Sequence, residues 1–175
     1  MSTLAFLSPA LAEAGYRSPL ERALAGTNLR DLSPLGKLEV RRDLSAAELE
    51  GQSLGHVPKG DVENGHVRGT VPRFEAVEIA PNRTLVLCES EAAPALAAQL
   101  GAVDVSAALA GLALNGEQLT RRLTDLDLEA LPAVGAVAGV QCTVLRDGDE
   151  FRLFFAQEYA DHVAAVVLDA LEGLR

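Results

Sequence analysis

The sequence predicts an α+β fold of two small units, each an antiparallel sheet with helices packed on one face. Strand-like runs come in neighbouring pairs joined by short turns, as across Ala80-Pro81-Asn82-Arg83 and around Asp147-Gly148. Helical stretches separate those pairs, giving the order β-β-α-β-β-α-β-β-α. A short pattern also occurs twice. Asp31-Leu32-Ser33 precedes an alternating strand, and Asp104-Val105-Ser106 precedes another, with a one-residue gap between the two copies.

Residues 1–28 are expected to be peripheral. Ser18, Pro19 and Glu21 suit the opening of a short helix through Leu24, stopped at Gly26. Leu35 to Arg41 alternates, with Leu38 and Val40 on one face and Lys37, Glu39 and Arg41 on the other, as in a half-buried strand. Leu44 to Leu49 offers one or two helical turns. Gly51 to Pro72 holds five glycines, two prolines and two of the three histidines, and is expected to be a long loop that serves a purpose or covers a partner. Phe74 to Ile79 and Thr84 to Cys88 follow as strands, turned by Pro81 and Asn82.

Ser90 is placed to cap a helix over Glu91 to Leu100, with Pro94 in its first turn and Gly101 as its stop. Ala102 to Ser106 and Ala108 to Leu114 are strand-like. Gly116 to Leu123 is a short helix with Leu119 and Leu123 on one face and Glu117 and Arg121 spaced for an i,i+4 pair. Asp125 to Gly139 reads as a connection. Val140 to Arg146 and Glu150 to Phe155 flank Asp147-Gly148, the strongest hairpin signal in the chain. Gln157 to Glu172 closes as an amphipathic helix, with Tyr159, Val163, Val166 and Ala170 as its apolar stripe and Glu158, Asp161 and Asp169 outside. These elements define a domain over 29–175, divisible into ferredoxin-like packed units 29–101 and 102–175.

Composition narrows the function. Hydrophobic residues make up 49% of the chain and aromatics only 4%, so the core is built from Leu, Val and Ala. The net charge of −10 argues against nucleic acid, whose phosphates require clustered Lys and Arg. Cys88 and Cys142 lie in apolar runs far apart, and are expected to be reduced core thiols suited to a reducing compartment. The first residues lack a basic n-region and a long apolar stretch, so neither a signal peptide nor a membrane span is expected, and a cytoplasmic location follows.

No residue is assigned a catalytic, cofactor-binding or metal-binding role. His56, His66 and His162 have no ligand spacing. His162 falls on the polar flank of the last helix, while His56 and His66 share the Gly-rich loop without a third ligand. Asp104 and Ser106 suit turn and cap chemistry, and no histidine is placed to activate Ser106. Gly135 to Gly139 lacks nucleotide-motif spacing and is expected to be a connector. Arg121 and Arg122, with Asp125, Asp127 and Glu129, are expected to form a solvated face or an interface rim, as are Arg41 and Arg42.

The block DVSAALAGLALNGEQLTRRL resembles the opening of the folate-binding domain of aminomethyltransferases, the T-proteins of the glycine cleavage system. The run RDGDEFRLFFAQEYADHVAAVVLDAL resembles the next part of that domain. The likeness to the gamma subunits of heterotetrameric sarcosine oxidases is closer, through LGKLEVR, PNRTLVL, the Asp-Val-Ser block, LPAVGAV and the final hairpin and helix, from Arg17 to the C-terminus. That resemblance implies a T-protein-like fold and a non-catalytic subunit of a complex that oxidatively demethylates a secondary amine. It implies FAD, FMN, NAD, folate and zinc in partner subunits, the larger ones being flavoproteins, with the methyl carbon passed to tetrahydrofolate or released as formaldehyde. T-proteins carry an acid in the strand before the hairpin. Here Gly139-Val140-Gln141-Cys142-Thr143 holds none, and neither Gln141 nor Thr143 serves as a general base near neutral pH. The alternatives are a small folate-binding aminomethyltransferase-like protein, or a self-associating module of another ligand.

Overall fold

The structure is a computed structural model that describes residues 17–42, 66–70 and 73–174, with the backbone alone at 66–70 and 73. The expected helix at Leu44–Leu49, His56 and most of the Gly-rich loop lie outside the described residues. The strands are β1 (Arg30–Asp31), β2 (Gly36–Val40), β3 (His66–Thr70), β4 (Arg73–Ala80) and β5 (Arg83–Cys88), followed by helix α1 (Ala93–Leu100). After these come β6 (Val103–Asp104), β7 (Leu109–Asn115), α2 (Glu117–Leu123), β8 (Ala133–Val137), β9 (Val140–Asp147), β10 (Glu150–Ala156) and α3 (Ala160–Glu172).

Among the described residues, ten strands form two five-stranded antiparallel sheets. One runs β1-β7-β10-β9-β8 and the other β6-β2-β5-β4-β3. The two orders correspond strand for strand. In each, a two-residue edge strand pairs with a longer strand, which pairs with the second arm of a hairpin, and a helix follows that arm directly. The chain therefore folds as two quasi-equivalent halves. Each half lends its first strand to the other's sheet, so a division at 101/102 cuts both sheets.

The period-two alternation of strand side chains is buried on both faces. Leu38, Val40, Phe74, Ala76, Val86 and Cys88 pack under Leu96 and Leu100 of α1. Leu112, Leu114, Val144, Phe151, Leu153 and Phe155 pack under α2 and α3, with Leu20 and Leu24 in the same cluster. Between the sheets, Val77, Leu85 and Leu87 of one meet Ala113, Leu145 and Phe154 of the other, with Leu32 among them. The layers are helix, sheet, sheet, helix, and the α+β class with helices on one face of each sheet holds.

Several local expectations change. Residues 66–70 of the expected loop are a strand, paired with β4 from His66↔Val77 to Thr70↔Arg73. The expected connector at 135–139 is most of β8 and its turn. The run AVGAV has no polar-apolar alternation to announce a strand, yet it pairs with β9, and Ala138 and Gly139 turn it with φ of 52° and 76°. Gly135 lets Leu126 pack closely against the strand, since a Cβ would lie 2.5 Å from Leu126 Cδ2 and the leucine would have to shift. Ser90 makes no side-chain cap, and residues 90–92 are a 3-10 turn leading into α1. The buried stripe of α3 is Ala160, Val163, Ala164 and Val167, whereas Tyr159 is 46% exposed. Within the expected periphery, Leu20 and Leu24 are core residues held in a turn by Leu24 N–H donating to Leu20 O at 3.0 Å.

Candidate functional site

The repeated Asp-x-Ser pattern builds two matching clasps where the halves exchange strands. Asp31 Oδ1 accepts the Ser33 N–H at 2.8 Å, and Asp104 Oδ1 accepts the Ser106 N–H at 2.9 Å. These are side-chain-closed turns of the kind Asp favours. Each turn presents its serine hydroxyl to the other half. Ser33 Oγ accepts from Gly111 N–H at 3.1 Å, and Ser106 Oγ accepts from Lys37 N–H at 2.9 Å. Each hydroxyl also faces the carbonyl of the residue it binds, Gly111 O at 3.5 Å and Lys37 O at 3.4 Å. The residue between Asp and Ser completes the clasp, with Leu32 N–H donating to Gly111 O at 2.8 Å and Val105 N–H to Lys37 O at 2.9 Å. The step from Ser33 to Lys37 is four residues and from Ser106 to Gly111 five, which accounts for the one-residue gap in the sequence pattern. Asp104 and Ser106 thus spend these groups on backbone, as turn and cap chemistry requires.

Two buried cations were not expected from the sequence. Lys37 shares a strand face with Glu39, and alternation suggested solvent there. The second sheet covers that face, and Lys37 is 0% exposed. Its Nζ donates to Ser33 O and Leu35 O, both at 2.7 Å. Burial pulls its amine down to about 8 against the opposing fields of Asp31 and Asp104. Arg152 sits in the apolar run of β10 and reaches across to β4, where Nη1 and Nη2 meet the two Glu75 oxygens at 2.6 and 2.8 Å. Burial opposes the Arg152 charge, but the bonds to Glu75 outweigh it and raise its pKa. Its Nε is buried without a partner. A single charge inside Phe151-Arg152-Leu153-Phe154-Phe155 was the available sequence signal.

The remaining candidates are dispersed. Arg121 pairs with Glu117 at 2.7 Å, and Arg146 bridges Glu117 and Glu129 at 3.5 and 3.0 Å, making a largely exposed network on the face expected from the charge run. Arg122 Nη1 donates to Gly173 O at 3.1 Å, at the end of α3. Glu39 is held between Arg41 and Arg83 at 2.7 and 3.1 Å. His162 is exposed, with Nε2 2.9 Å from Ala138 O, and His66 lies on β3. Gln141 is exposed and Thr143 half-buried on β9. Both cysteines are buried free thiols. Among the described residues no three His, Cys, Asp or Glu come together to hold a metal ion, and no helix is long and apolar enough to cross a membrane. An open groove lies between residues 26–28 and the end of α3, lined by Gly26, Thr27, Asn28, Leu168, Leu171 and Glu172.

Fold and polar groups together define a class: a four-layer α+β domain of two strand-exchanged halves, in which buried Ser33 and Lys37 bond to backbone and buried Arg152 to Glu75. Comparison with solved structures gives a particular counterpart, with 23 matching chains. A chain of the heterotetrameric sarcosine oxidase from Corynebacterium sp. U-96, in complex with pyrrole 2-carboxylate, aligns with a TM-score of 0.69 at 19% identity. The alignment covers 90% of this chain and 95% of that one. The likeness is one of fold, and it extends over nearly the whole of both chains. No protein-family model and no curated protein matches the sequence.

Proposed function

We propose that this chain is a non-catalytic structural subunit of a heteromeric, flavin-dependent oxidase acting on sarcosine or a similar secondary amine. The observation that carries the proposal is the shared fold, end to end, with a chain of a heterotetrameric sarcosine oxidase. The chemistry of the described residues supports it. The groups that would attract attention as acids, bases or nucleophiles are engaged structurally: Ser106, Arg152 and Glu75 bond across the two halves, the Lys37 amine holds the Ser33 and Leu35 carbonyls, and Asp104 closes the turn at Ser106. In this proposal FAD, FMN, NAD, folate and zinc belong to the partner subunits, the larger ones flavoproteins, and the assembly works in the cytoplasm. The absence of a carboxylate in Gly139–Thr143 argues against independent aminomethyl transfer by this chain.

The test is co-purification of the tagged full chain from its native source. The expected result is a complex with larger subunits that absorbs as a flavoprotein and consumes oxygen when sarcosine is added. A colourless fraction, or a chain that elutes alone or with copies of itself, overturns the proposal.

A further inference from the structure

We draw no further inference here: the strongest candidate, the open groove between residues 26–28 and the C-terminal end of α3, lined by Gly26, Thr27, Asn28, Leu168, Leu171 and Glu172, carries nothing because nothing in the structure shows what covers it.

Discussion

Arg152 and Glu75 tie the two sheets together through a two-pronged ion pair, with side chains only 9% and 13% exposed. The pair lies at the level where Phe154, Leu85 and their neighbours exclude water, so losing either partner leaves a charge that is largely cut off from solvent. Removing one partner of a buried pair costs about 3–5 kcal/mol, whereas replacing both with apolar residues of similar size is often close to neutral. Arg152→Met and Glu75→Leu should each be strongly destabilising, and the double variant should recover most of the loss. Urea midpoints for the four proteins give the coupling. If the two single losses simply add in the double variant, the pair is not acting as a unit.

Lys37 gives stability an unusual pH dependence. Its amine is held at about 8 in the folded chain against the ordinary 10.5, chiefly because burial disfavours the charged form. Between those values the unfolded chain carries a proton that the folded chain has released. Stability therefore rises with pH across that window, and the penalty is fully present below about 8. Lys37→Met removes the effect. From pH 7.5 to 10.5 the wild type should gain on this variant by up to about 3 kcal/mol, at 1.36 kcal/mol for each unit of displacement. Taking the difference cancels groups the two proteins share, and the loss from leaving Ser33 O and Leu35 O without their donor is a constant offset that drops out of its change with pH. A gap that stays level with pH would show that the amine is not held in this way.

The two serine clasps are equivalent in geometry but not in environment. Ser33 is 2% exposed, whereas Ser106 is partly open to water. Removing the Ser33 hydroxyl leaves the Gly111 N–H buried without its acceptor, at about 1–3 kcal/mol, while water can replace part of what Ser106→Ala removes. Ser33→Ala should therefore lower the melting temperature clearly more than Ser106→Ala. The reverse order, seen by calorimetry, would contradict the burial difference on which this rests.

Much of this arrangement was visible in the sequence, wherever the determinants were local. Asp147-Gly148 marked the β9–β10 hairpin, Pro81-Asn82 the turn before β5, and Glu117 with Arg121 the exposed face of α2. The Asp-x-Ser repeat was visible as a pattern, but its purpose depends on strands 78 and 69 residues away, which no local spacing can disclose. Lys37 misled for a related reason. A polar residue on an alternating strand indicates solvent only when one sheet face is open, and here a second sheet closes it. β8 escaped notice because its Ala, Val and Gly residues show no alternation, and its glycine sits close against Leu126.

The thiols offer a sensitive measure of how tightly the two cores close. Burial pushes Cys88 up to about 11, with Asp104 adding to the effect, and pushes Cys142 up to about 12, despite an opposing backbone hydrogen bond from Val137. Cys88 lies under α1 and Cys142 under the opposite helical layer, so each reports on one half. The thiolate is the reactive form. At pH 8 a thiol held near 11 is ionised in only about one molecule in a thousand. Neither cysteine of the folded chain should react with an aromatic disulfide reagent on the minutes timescale, and both should react once urea has unfolded it. A thiol that reacts at a rate independent of urea would mean its half of the structure opens without global unfolding. Reaction at Cys88 alone would assign that weakness to the sheet capped by α1.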